Sequence, residues 1–218
     1  LEQMNCLPKN YYILEVSADL RARQKNRIQE EIPQLSNKVI WLEKLPEKFN
    51  GVVLANEVLD AMPVHKFRID AIGIKEFFVK YANEQFQWQL KKAENQQLKT
   101  AVKELQINSL TEYYDSEINL ALSAWIHSVS EFLQKGLLLI IDYGYPRHEY
   151  YHPDRYMGTL MCHYRHYAHA DPLILTGLQD VTAHVDFTAV AEAGFAAGMK
   201  IAGFATQATF LLSCGLLE

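Results

Sequence analysis

Four mostly apolar runs constrain this chain more than any other feature: "YYILEVS" from Tyr11 to Ser17, "KVIWLEKL", "GVVLAN" and "LLLIIDYGY". Each is short and rich in β-branched, aromatic or aliphatic residues, as strands are. Apolar runs without strict alternation suit strands that are covered on both faces. Between them lies "ADLRARQKNRIQEEIPQL", where Leu20, Ile28, Ile32 and Leu35 sit on a charged background, as in a surface helix. "DFTAVAEAGFAAGM" reads as another helix, and "KIAGFATQATFLL" as closing strand material. The alternation implies an α/β fold with a mainly parallel sheet and helices on both faces. Ligands of such sheets sit beyond the carboxyl ends of the strands. Three of the runs end in Glu15, in Asn56-Glu57 and in Asp142, which places these polar groups at one edge.

Between the third and fourth runs the texture changes. "HKFRID", "IGIKEFFVKYA" and "EQFQWQLKK" alternate polar and apolar residues around turn-like "AIG" and "NE". This predicts antiparallel strands inserted at about residues 64–92. The following "LTEYYDSEINLALSAWIHSVSEFLQKG" reads as one long helix, with Gly136 as its C-cap.

Composition excludes several classes. A formal charge of −5 lacks the basic face that nucleic acid requires. Three cysteines, Cys6, Cys162 and Cys214, are too few and too scattered for a disulfide framework and fit a reducing compartment. No apolar stretch approaches the roughly 20 residues that span a bilayer, and "LEQMNCLPKN" does not have the form of a signal peptide. A cytoplasmic-type protein is expected. No GxGxxG, GxxxxGK[ST] or GxSxG motif is present, which argues against an NTPase and an elbow-type hydrolase.

The stretch "NGVVLANEVLDAMPVHKF" holds the chemistry-bearing cluster. Asn56, Glu57 and Asp60 bring two carboxylates and an amide within one turn. If a helix starts at Glu57, the two acids are i and i+3 neighbours. One reading is that they cap that helix and complement its dipole. The other is that they face a cation, such as a sulfonium or a basic substrate. Glu15 is either a solvated strand terminus or an acceptor for vicinal ribose hydroxyls. In "MCHYRHYAHAD", Cys162, His163, His166 and His169 are either a hydrogen-bonding loop or, on a helix, a zinc set; no metal site is assigned. Phe77, Phe78, Tyr81, Phe86 and Trp88 of the inserted strands either pack on the sheet or form a partner surface.

"YYILEVSADLRARQ", "VVLANEVLDAMPVHKF", "LLLIIDYGYP", "GTLMCHYRHYAHADPL", "GLQDVTAHVDF" and "TQATFLL" resemble, in this order and over nearly the whole chain, the MidA family of S-adenosylmethionine-dependent methyltransferases. That family includes the mitochondrial assembly factor that methylates an arginine in a complex I subunit. The resemblance implies a class I, Rossmann-like methyltransferase sheet, S-adenosyl-L-methionine as cofactor and a protein substrate. A bacterial cytoplasm is the implied setting, or the mitochondrial matrix for a eukaryotic protein. The family's first strand and glycine-rich loop are not matched here. The chain therefore reads as one methyltransferase-like domain over residues 1–218, truncated at both ends. By position, Glu57 and Asp60 are the expected catalytic pair, and Glu15, Asn56 and Asp142 the expected cofactor contacts. Gln179, Asp180, His184 and Asp186 fall in a family motif without a derived role. The alternative is a non-catalytic assembly factor that binds a respiratory-complex subunit.

Overall fold

The computed structural model describes residues 6–107 and 112–216. The chain divides into two compact units, one running to Phe49 and the other starting at Asn50.

In the first unit, β1 (Tyr11–Leu14) and β2 (Val39–Leu42) pair in parallel, with Tyr11 opposite Val39. Helix α1 (Ala18–Glu31) connects them. Ser17 caps it by accepting the Leu20 N–H at 3.3 Å. A 3₁₀ turn over Pro33–Lys38 leads into β2. Both strands and the helix form where expected, but β1 is not the buried strand its apolar run suggests: Tyr11, Tyr12 and Leu14 are exposed. The opening "LEQMNCLP" reads as the last turn of a helix, and its residues 1–5 lie outside the described residues.

The second unit begins within β3 (Phe49–Asn56), at Asn50. β4 (His65–Asp70), β5 (Gly73–Ala82) and β6 (Gln85–Lys92) form successive antiparallel pairs. The alternation in that segment is what a sheet with two unlike faces needs. Helix α2 (Gln96–Glu104) follows, capped by the Asn95 side chain.

The long helix expected from Leu110 is half strand. β7 (Tyr113–Ile118) pairs antiparallel with β4, so the four-stranded sheet runs β6-β5-β4-β7. "YYDSEI" alternates poorly because most of it is buried on both faces. Leu110 and Thr111 lie outside the described residues. Helix α3 (Leu122–Phe132) covers only the second half of the expected span.

Gly136 is not a helix cap either. It lies inside β8 (Leu133–Ile141), which pairs with β3. A Cβ at Gly136 would collide with the Gly51 backbone, and its φ of +153° is one that few other residues adopt.

The aperiodic region beyond β8 folds into short elements: β9 (Gly144–Tyr145), α4 (Arg147–Tyr150), β10 (Met161–Tyr164), β11 (Tyr167–His169), β12 (Asp180–Thr182) and β13 (Val185–Asp186). β10 pairs antiparallel with β11 and β12, and β13 lies parallel to β9. Helix α5 (Phe187–Ala196) is as expected. The expected closing strand is instead coil followed by helix α6 (Gln207–Ser213), capped by Thr206. The resulting fold is mixed α/β. Its largest sheet among the described residues is antiparallel, because the strand runs that alternate polar and apolar residues outgrow the parallel pairs.

Two apolar clusters hold the second unit. Phe67, Leu98, Val102, Tyr114 and Tyr150 pack the antiparallel sheet against α2 and α4. Leu59, Leu122, Ile126, Val185 and Ala193 join α3 and α5 to the chain that leaves β3. Burying such side chains is worth about 1.5–3 kcal/mol each. The second cluster anchors the turn on which the acids sit.

Candidate active site

β3 ends at Asn56 without entering a helix. Of the two forms that "EVLDAM" allows, a helix or a turn, the chain takes the turn, closed by the Met62 N–H donating to the Leu59 carbonyl at 3.3 Å. The backbone explains why. Glu57 has φ +48°, in the left-handed region that a helix cannot use. Its N–H is committed to the Ile141 carbonyl at the end of β8, 2.8 Å away. Leu59 then turns into the core with 3% exposure. The helix-capping reading of Asn56, Glu57 and Asp60 falls with the helix.

Asn56 and Glu57 are exposed, and Asp60 is buried. Among the described residues the Glu57 carboxylate has no hydrogen bond or ion pair. A non-glycine residue held at positive φ with a free carboxylate is a strained position of the kind found at binding sites.

Asp142 holds the turn in place. Its Oδ2 accepts the N–H groups of Leu59 (3.0 Å) and Asp60 (3.2 Å), and its Oδ1 accepts the Tyr143 N–H (2.9 Å). Burial, and then the charge of Asp60, raise its pKa above the ordinary carboxylate value. Asp142 therefore sits at the strand end as expected, with three backbone donors already on it.

Asp60 faces a cluster that strand-end reasoning found only in part. The Tyr143 hydroxyl donates a short hydrogen bond to its Oδ2, and the Asp60 carbonyl accepts the Ala183 N–H at 3.0 Å. Burial and this hydrogen bond push the Tyr143 phenol up to about 12. Among the described residues Asp60 Oδ1 and His184 Nδ1 are buried without a hydrogen-bond partner, and the Thr182 hydroxyl lies beside the Tyr143 phenol.

His184 is clamped on several sides. Its ring stacks on Tyr145 at 5.3 Å with 3° between planes, and meets Tyr143 edge-on at 5.2 Å. Arg155 covers the Tyr145 ring at 4.2 Å. The His184 backbone N–H donates to Thr159 Oγ1 at 3.0 Å. Burial, and next the Arg155 charge, lower the His184 pKa, so the imidazole is neutral at pH 7.

Behind Thr159 lies Glu117, fully buried on β7. Glu117 Oε1 accepts the N–H groups of Thr159 (2.8 Å) and Leu160 (2.5 Å). Gly158 precedes them at φ +80°, and a Cβ there would run into the Glu117 carboxylate.

The strand end thus brings together Asn56, Glu57, Asp60 and Asp142, and adds Tyr143, Thr182 and His184. Glu15 belongs to the first unit. It follows β1, and its two oxygens accept the Ser17 N–H at 2.8 Å and the Gln24 side-chain N–H at 3.1 Å.

Of the motif whose role sequence reasoning did not derive, only His184 enters the cluster. Gln179 braces its own loop through the Ile174 carbonyl at 2.6 Å, and Asp180 is exposed on β12. Asp186 caps α5 and pairs with Arg147 at 3.1 Å. One signal could have pointed to Thr182 with His184: two residues apart in an extended segment, they lie on one side.

The histidines of "MCHYRHYAHAD" lie on the β10–β11 hairpin, with Cys162 opposite His169, and not on a helix face. Among the described residues no three His, Cys, Asp or Glu side chains are grouped to hold a metal ion. Among the same residues no helix is long and apolar enough to cross a membrane.

Two solved structures, both from Burkholderia thailandensis, share this architecture. The native structure of an uncharacterized protein is 41% identical, with a TM-score of 0.93 over 99% of this chain and 57% of its own. A second superfamily member, crystallised with S-adenosyl-homocysteine, is 41% identical, with a TM-score of 0.92 over 99% of this chain and 55% of its own. The chain thus spans a little over half the length of these relatives. No curated protein matches it. A family model matches residues 2–205, and the chain belongs to the family that this model describes as "Putative S-adenosyl-L-methionine-dependent methyltransferase".

Proposed function

We propose that this chain carries the active-site half of an S-adenosylmethionine-dependent methyltransferase of the MidA type, which modifies an arginine side chain of a protein partner. One observation carries the reading. At the end of β3, Asp60 and Asp142 lie close together with Glu57 on the same turn, and none of them is paired with a Lys or Arg among the described residues. Like charges this close call for a positive ligand, and the superfamily member crystallised with S-adenosyl-homocysteine is 41% identical.

The residues fit such a cofactor. Among the described residues Asp60 Oδ1 is buried without a partner, and the Glu57 carboxylate has none on its strained turn. When bound, the cofactor supplies a methyl group already activated on a sulfonium. Glu15 accepts the ribose hydroxyls with the lone pairs that Ser17 and Gln24 leave open. Asn56 and Asp142 form the strand-end wall, with Asp142 acting chiefly through the turn it fixes. Glu57 and Asp60 grip the guanidinium in a fork and concentrate its positive charge on the nitrogens away from the reacting one. The sheet behind this cluster is read as the class I, Rossmann-like sheet, in a protein of the bacterial cytoplasm.

Calorimetric titration of S-adenosyl-homocysteine into the chain, and into a version extended to the length of the Burkholderia relatives, tests the reading. Saturable binding to at least one of them is expected, and binding to neither overturns it. A second reading, a non-catalytic partner-binding factor, draws on the β5–β6 hairpin. There Tyr81 and Phe86 pack edge-to-face at 5.4 Å yet remain 67% and 43% exposed.

A further inference from the structure

Buried polar groups are almost always hydrogen-bonded, and leaving one without a partner costs about 1–3 kcal/mol. His184 Nδ1 is such a group. The protein holds that ring firmly all the same. Tyr145 fixes its plane, Tyr143 its edge, and Thr159 its backbone, while Glu117 fixes Thr159 in turn. A side chain merely filling space needs no such support. A ring kept rigid with one nitrogen unpaired is poised for a ligand.

The surroundings define the ligand's chemistry. Asp60, itself hydrogen-bonded by Tyr143, acts on His184 as a negative charge, and Arg155 acts as a positive one across the Tyr145 ring. Asp142 lies behind Asp60 and interacts with its charge. His184 also lines a cavity of about 250 Å³, together with Leu59, Asp186 and Glu192. Arg147 neutralises Asp186 and Glu192 at 3.1 and 2.5 Å, so the cavity wall does not itself compete for the imidazole's proton.

We propose that His184 accepts the proton released by the methyl acceptor, with Asp60, held by the Tyr143 hydroxyl, as the charge that acts on the ring. This rests on the methyltransferase reading above. The acceptor is a nitrogen or oxygen that carries a proton. Its lone pair forms the new bond to the methyl carbon, and the carbon–sulfur pair stays on sulfur, whose positive charge is thereby neutralised. The proton passes from the acceptor to the free imidazole nitrogen, and Asp60 offsets the imidazolium. Arg155 keeps the ring neutral, and so able to accept, until the transfer occurs.

The test needs no knowledge of the acceptor. Sinefungin carries an amine where the cofactor carries its methyl sulfonium, so its ammonium probes the reacting position. Its affinity relative to S-adenosyl-homocysteine is measured calorimetrically from pH 5 to 8, on the protein at the length that binds, in wild type, His184→Gln and His184→Asn. Nitrogen NMR of labelled histidine reports the Nδ1 environment in parallel.

Wild type is expected to prefer sinefungin, increasingly as His184 loses its proton, and its Nδ1 resonance is expected to shift on binding. Both substitutions are expected to reduce that preference about tenfold or more and to flatten its pH dependence. Affinity for S-adenosyl-homocysteine should stay within about twofold, because a product without the amine does not engage a proton acceptor. An unchanged preference in both variants, with S-adenosyl-homocysteine still bound, overturns the role of His184 and leaves the methyltransferase reading standing. Loss of S-adenosyl-homocysteine binding in the variants overturns it too, by making His184 a structural residue. Failure of wild type to bind S-adenosyl-homocysteine at any length overturns both.

Discussion

Glu117 is a fully buried acid on which the loop supporting His184 rests. Its Oε1 accepts two backbone N–H groups, from Thr159 and Leu160, and its Oε2 accepts from Thr159 at 3.1 Å and from the Ser116 hydroxyl at 3.3 Å. Glu117→Ala removes every one of these acceptors. Two backbone donors without partners cost about 1–3 kcal/mol each, so the loss is about 2–6 kcal/mol before any cavity is counted. Glu117→Gln keeps an oxygen for the two strongest bonds and opposes the Thr159 N–H with its amide, at a cost of about 1 kcal/mol.

The pH dependence gives a second check. Burial raises the Glu117 pKa, against the opposing pull of Lys66 and the N–H donors. A carboxyl with a raised folded pKa holds its proton more tightly when folded. Its stabilising contribution is therefore largest below the unfolded value of about 4.3 and is lost as pH rises towards the folded pKa. The advantage of wild type over Glu117→Gln should thus shrink between pH 4 and pH 7. Urea denaturation of the three proteins at several pH values measures both quantities. An alanine variant within about 1 kcal/mol of wild type, or an advantage that grows with pH, would refute the reasoning.

Other substitutions probe the same supports. Gly158→Ala should destabilise by about 2 kcal/mol or more, since the residue sits at φ +80° and its new methyl meets the Glu117 carboxylate; thermal unfolding reads this out. Tyr143→Phe should cost about 1–3 kcal/mol by removing the donor to Asp60, and should delete a tyrosine absorbance transition near pH 12. Leu59→Ala should cost about 2–5 kcal/mol and loosen the acidic turn, as seen by faster amide exchange at Asp60. His184 has a lowered pKa. Its stabilising contribution is therefore full above the unfolded value of about 6.5 and is lost as pH falls through the folded one. His184→Gln should remove that part of the acid sensitivity, as followed by the denaturation midpoint from pH 7 to 5.

The sequence by itself determined the strands that carry the acids. β1, β2, β3 and β8 were legible because short runs of β-branched, aromatic and aliphatic residues favour strand, and each acid stands where such a run stops. Strand alternation between residues 64 and 92 was legible for the same kind of reason. Tertiary structure decided what the runs could not encode. β7 looked helical because alternation vanishes when both faces are buried, and only pairing with β4 made it a strand. The segment from Glu57 looked like a helix start until the Ile141 carbonyl claimed the Glu57 N–H and Asp142 claimed those of Leu59 and Asp60. Glu57 and Asp60, three positions apart in sequence, ended in unlike environments, one exposed to solvent and one buried under Tyr143. His184 meets Thr159 25 residues away in sequence, and Tyr143 meets Asp60 83 residues away, separations over which no local pattern carries information. Apolar periodicity records which backbone is covered. Where a polar side chain finds its partner is settled only when distant strand ends meet.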